Sequence, residues 1–89
     1  MRYKIIDQTM PGANVGYLIE YNGQEYITDI TIRTDKEYRT EFAVFKSVDR
    51  QITFENAIPI YCKMDVAMDF EELKKCIDEF IESTNLLKE

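Results

Sequence analysis

Met68-Asp69-Phe70-Glu71-Glu72-Leu73-Lys74-Lys75-Cys76-Ile77-Asp78-Glu79-Phe80-Ile81-Glu82-Ser83-Thr84 reads as one amphipathic helix with a single apolar stripe. Leu73, Cys76, Ile77, Phe80, Ile81 and Thr84 recur at intervals of three and four, which brings them onto one side of a 3.6-residue spiral. Asp69 is placed to cap the first turn and Glu72 stands three residues on, an aspartate version of the capping box. Met68 and Leu73 have the spacing of a hydrophobic staple across that turn. Glu71 precedes Lys75 in the favourable i, i+4 order, worth about 0.2–0.5 kcal/mol. Asn85 is the expected stop. A helix with one apolar stripe needs one surface to cover, and the residues before it supply strands.

Asn22-Gly23 separates two alternating runs and predicts a two-residue hairpin loop of type I′. Its register follows from counting outward. Ile19 falls opposite Tyr26, Tyr17 opposite Thr28 and Val15 opposite Ile30, all on one face that is expected to be core. Leu18 opposite Ile27, Glu20 opposite Glu25 and Gly16 opposite Asp29 lie on the other. Tyr3 to Ile6 reads as a first strand, followed by a turn at Met10-Pro11-Gly12. Thr34-Asp35-Lys36-Glu37 is a polar turn, and Thr40 to Ser47 is a further strand. Phe42-Ala43-Val44-Phe45 is apolar on both faces, so one helix cannot cover all of it; the first strand, a curled sheet or a partner chain are the candidates. Val48-Asp49-Arg50 turns into a short strand at 51–55 with Ile52 and Phe54 inward. Ile58, Ile60, Cys62 and Met64 then alternate on one side, and Pro59 restricts that segment to an edge or a strand start. The expected class is α+β: a mostly antiparallel sheet of four to six strands with one C-terminal helix packed on one face. Residues 1–89 form one small acidic domain, β-rich over 1–64 and helical over about 69–84.

The chain has 89 residues and a formal charge of −6, and it contains no histidine. Imidazole-activated nucleophiles, histidine metal sites and histidine pH switches are therefore excluded. Charge is distributed unevenly: 64–89 carries three cations against eight acids, whereas 34–63 is balanced at five each. An acidic balance disfavours direct binding to nucleic acid and to anionic membranes. The first residues lack the apolar run of a signal peptide, and no segment has the length and hydropathy of a membrane span. Cys62 and Cys76 belong to no C-x-x-C unit, and both read as reduced thiols of a cytoplasmic protein; a Cys62–Cys76 bridge is the minor alternative.

The candidate partner-binding residues are the carboxylates off the helical stripe, Asp69, Glu71, Glu72, Asp78, Glu79 and Glu82, with Asp65 just upstream. Glu20, Glu25 and Tyr21 on the hairpin join them. Acids in a first turn complement the helix dipole and outer charges solvate a surface helix, which is the competing explanation. The functional reading is a negative surface that competes for a basic, nucleic-acid-binding protein cleft. Tyr21 and Tyr38 are the tyrosines expected outside the core. An RNA-stacking platform is disfavoured by Glu20, Glu25 and Asp29 nearby. Asp65 with Asp69, or Glu71 with Glu72, match no EF-hand loop, and Gly12, Gly16 and Gly23 form no phosphate-cradling loop. No catalytic residue, cofactor or metal is therefore expected. The chain is similar in size and charge to small acidic proteins of phages and mobile elements, including anti-CRISPR inhibitors, by composition and without a shared motif. The expected function is a non-enzymatic inhibitor or regulator; the alternative is an accessory subunit that forms a homodimer through its sheet.

Overall fold

The computed structural model describes residues 2–8 and 15–88. Its elements are β1 (Lys4–Asp7), β2 (Val15–Tyr21), β3 (Gln24–Arg33), a 3-10 turn (Thr34–Lys36), β4 (Arg39–Lys46), β5 (Tyr61–Met64) and α1 (Phe70–Lys88). The strands form one antiparallel sheet in the order β1-β2-β3-β4-β5, and α1 packs against it, an α+β fold. Among the described residues each strand pairs with its sequence neighbour, which leaves β1 and β5 as the edges. The Met10-Pro11-Gly12 turn lies outside the described residues.

The β2–β3 hairpin adopts the expected register throughout, from Val15 opposite Ile30 to Glu20 opposite Glu25. Asn22 and Gly23 both have positive φ, 51° and 78°, as a type I′ turn requires. The face carrying Val15, Tyr17, Ile19, Ile30, Phe42 and Val44 is buried under Leu73, Cys76, Ile77, Phe80 and Ile81 of α1. Thr28 is enclosed on the same face, where its hydroxyl donates to the Tyr17 carbonyl oxygen at 3.0 Å. Rings then fasten the helix along its length. Phe70 meets Tyr17 at 5.2 Å between centroids, and Phe80 meets Tyr26 at 5.4 Å and Tyr61 at 5.6 Å. Tyr61 in turn abuts Phe42 edge-on.

The second face is also dry at its centre. Leu18, Ile27 and Ala43 are buried and Phe45 is half-buried within the single chain, so none of them requires a partner.

Several local expectations are corrected. The segment 51–55 is not a strand: Gln51 makes one isolated bridge to Val48, and a turn closed by Asn56 N donating to the Thr53 carbonyl swings Phe54 outward. Ile52 is therefore half-exposed and Phe54 fully exposed, not inward. Ile58 and Ile60 precede β5 and stand exposed, because only Tyr61–Met64 pairs with β4. Tyr21 is buried, since alternation carries the core face up to the hairpin tip. The helix passes Asn85 and runs to Lys88. Asp69 Oδ1 accepts the Glu72 amide at 2.7 Å as the cap requires, but the Glu72 carboxylate reaches back to the Ala67 amide and not to Asp69.

Replacing Asp69 with Ala is expected to cost about 1 kcal/mol, most of it restored by Asn. Leu73→Ala, which empties a fully buried position, should cost about 2–5 kcal/mol. Urea titration followed by circular dichroism checks both.

Candidate protein-binding surface

The expected acidic flank is assembled in part, and much of it is already engaged by the protein's own cations. Asp65 receives a two-pronged contact from Arg39, Nε to Oδ1 at 2.9 Å and Nη2 to Oδ2 at 2.7 Å. Asp65 has positive φ (61°) and sits just after β5, so the corner itself presents the carboxylate to β4. The Arg39 guanidinium holds the Asp65 carboxyl below its usual range. Glu79 accepts from Lys63 Nζ at 2.8 Å, which ties α1 to β5, and Glu82 pairs with Arg2 at 2.9 Å. Asp69 and Glu72 are occupied with capping. Glu71 and Asp78 remain exposed and outside every ion pair among the described residues.

The hairpin acids separate in the same way. Glu20 and Glu25 face each other across β2 and β3, a like-charge pair, yet Arg50 donates to both oxygens of Glu25 at 3.2 and 3.1 Å. Tyr21, buried on the opposite face, does not join them. Gly23, Gln24, Glu25, Ser47, Asp49 and Arg50 line an open depression of about 580 Å³. Asp49 and Arg50 both have positive φ there, forming a second tight turn whose Arg50 amide donates to the Ser47 hydroxyl. Arg33 is held by Asp35 and by the buried Glu41. All four arginines of the chain therefore sit in internal ion pairs. Among the described residues no group of Cys, Asp and Glu converges to hold a metal ion. Cys62 is exposed and Cys76 buried, both as free thiols; burial pushes the Cys76 thiol up to about 11.

One exposed surface escaped the sequence reading. Ile52, Phe54, Ile58 and Ile60 all lie on the segment between β4 and β5, with Phe54 at 104% and Ile58 at 86% relative exposure. Asn56 shapes this segment from inside. Its amide nitrogen donates to the Lys46 and Gln51 carbonyls, and its carbonyl accepts from Thr53. The signal was present as Glu55-Asn56-Ala57 and Pro59, which interrupt the alternation on both sides of Ile58.

Comparison with known proteins returned no match: no family model fits the chain, and no curated protein or solved structure is significantly similar to it. The surface must be interpreted on its own chemistry. The fold holds no helix long and apolar enough to cross a membrane among the described residues.

One half-buried acid gives a pH prediction. Asp29 lies between Gly16 and Ala43 on the second face, where burial, and next the nearby Glu41, push its carboxyl up to about 6. Above that pH the folded chain holds a charge that the unfolded chain solvates better, so Asp29 contributes stability only as pH falls from about 6 toward the ordinary carboxylate range. Asp29→Asn should stabilise the protein at pH 7.5, on the order of 2 kcal/mol, and have little effect at pH 4. Thermal melts of both proteins at the two pH values check this; an equal shift at both would assign the effect to packing.

Proposed function

We propose that this protein is a non-enzymatic binding module, an inhibitor or regulator that docks the acidic outer face of α1 onto a basic, nucleic-acid-binding protein cleft. The observation that carries the reading is the disposition of charge. Every arginine is committed internally, while Glu71 and Asp78 project from α1 outside every ion pair among the described residues. Asp69 and Glu72 add charge beside them. The internal pairs of Asp65, Glu79 and Glu82 are surface pairs, with side chains roughly half exposed. Such pairs contribute about 0–1 kcal/mol, so a cleft rich in Arg and Lys can exchange for the internal cation at small cost. Together these groups make a carboxylate row suited to a groove built for phosphates. An anti-CRISPR-like inhibitor of phage or mobile-element origin is one instance of such a module.

The test is charge reversal with the full chain as bait in lysate of its native host. A protein retained by the wild type should be lost at least tenfold with Glu71→Lys plus Asp78→Lys, and also on raising KCl from 50 to 500 mM. Lys74→Glu plus Lys75→Glu should retain it as well or better. The same retained protein should lose its nucleic-acid binding when wild-type chain is added. Retention indifferent to salt and to both double variants overturns the reading.

A further inference from the structure

A different surface points to a different partner. The segment 46–64 is the part of the chain where the acidic excess vanishes: Lys46, Arg50 and Lys63 stand against Asp49 and Glu55. The same segment exposes Ile52, Phe54, Ile58 and Ile60. Together these four side chains expose on the order of 450 Å² of apolar surface. That sum falls within the about 300–600 Å² of a typical monomer's largest apolar patch, a size that is often functional. It is roughly half of the ~800 Å² that each partner contributes to a stable interface. An open strand edge lies next to it. β5 follows Ile60 directly and is an edge of the sheet.

The hydrogen bonds of β5 define what that edge offers. The Asp65 amide donates to the Thr40 carbonyl, and Phe42 lies opposite Lys63. In an antiparallel ladder the bonded residues alternate, so the main-chain groups of Cys62 and Met64 point away from β4. We propose that two copies of the chain associate through β5, antiparallel about a two-fold axis, with the apolar side chains of 52–60 closing over the junction.

The register follows from side-chain chemistry. A two-fold axis perpendicular to the sheet centres the pairing on Cys62 or on Lys63. Centring on Lys63 sets two lysine stems opposite one another and crowds their Glu79 ion pairs, which is less favourable than an apolar pair. Centring on Cys62 sets Cys62 opposite its own copy, where the two copies exchange main-chain bonds, and brings the Ile60 side chain beside Met64, while the Ile60 amide stays on the Val44 carbonyl. Pro59 has no amide to extend the ladder, which keeps the pairing short. The other edge is unsuited to accept β5: β1 is interrupted by a register shift between Ile5 and Asp7 and bears charged Lys4 and Asp7. The association therefore closes as a dimer and does not propagate. It also leaves Glu71 and Asp78 uncovered, so it does not depend on the function proposed above.

Light scattering on purified chain at about 100 μM should give twice 10.5 kDa. Two such acidic molecules repel at long range, so salt should strengthen the dimer, the opposite of its effect on docking to a basic cleft. Phe54→Glu plus Ile58→Glu should convert it to monomer with an unchanged circular dichroism spectrum, because both side chains are exposed in the single chain. Ortho-phenylenedimaleimide should cross-link Cys62 between copies within minutes, and Cys62→Ser should abolish the product, the buried Cys76 staying silent. A monomer at every concentration overturns the proposal and leaves the patch to a different protein. A dimer that survives the double glutamate variant, or a cross-link that persists in Cys62→Ser, overturns it as well.

Discussion

A single helix laid across one face of a five-stranded sheet is the constraint from which the rest of this molecule follows. Nineteen residues of helix span about 28 Å, enough to run the length of the strands once. Leu73, Cys76, Ile77, Phe80 and Ile81 enter one apolar face, and Phe70 and Phe80 press rings against Tyr17, Tyr26 and Tyr61 at separate points along the helix. No second helical layer exists among the described residues for other apolar side chains to enter. A small domain has little interior to distribute. Side chains that do not face α1 must be buried at the centre of the opposite face, as Leu18 and Ile27 are, or remain outside, as Phe54 and Ile58 do.

Charge obeys a similar economy. With seventeen acids and eleven bases, the bases are the scarce partner. The fold assigns the arginines to joints: Arg39 to the corner after β5, Arg50 to the like-charged Glu20–Glu25 site, Arg33 to buried Glu41 and to Asp35, Arg2 to the helix. Lys63 performs the same task between β5 and α1. The exposed ones among these pairs add little stability individually. Two of them, Arg2–Glu82 and Lys63–Glu79, neutralise carboxylates of α1 itself, so the negative excess of its outer face narrows to Glu71 and Asp78 with the capping acids Asp69 and Glu72.

Two kinds of exterior result. One is the acidic back of α1; the other is the apolar and electrically neutral segment before β5. On the two proposed roles salt would act in opposite directions, since screening weakens attraction to a basic cleft and relieves repulsion between two acidic copies. A protein with both surfaces can pair with itself while presenting carboxylates outward. The pairing geometry would then place two acidic helices on one assembly, which raises the effective concentration of the second once the first has docked.

Local signals were enough to determine the hairpin and the helix. Asn22-Gly23 imposes its turn through positive φ, and the period of two then sets every cross-strand pair from Val15 to Tyr21. The helical stripe and the Asp69 cap are likewise written in spacing. Sequence failed where two periods agreed but the chain turned: Ile52 and Phe54 alternate like strand residues, yet Asn56 binds the carbonyls of Lys46 and Gln51 and folds the backbone over. It also could not assign cations to acids, because Arg39 and Asp65, or Arg50 and Glu25, are twenty-five or more residues apart. Composition and periodicity by themselves determined the α+β class, the acidic balance and the chemistry that lacking histidine rules out. Only the tertiary structure decided which carboxylates stay unpaired and which apolar side chains stay wet, since both depend on contacts between distant elements and not on the order of neighbours.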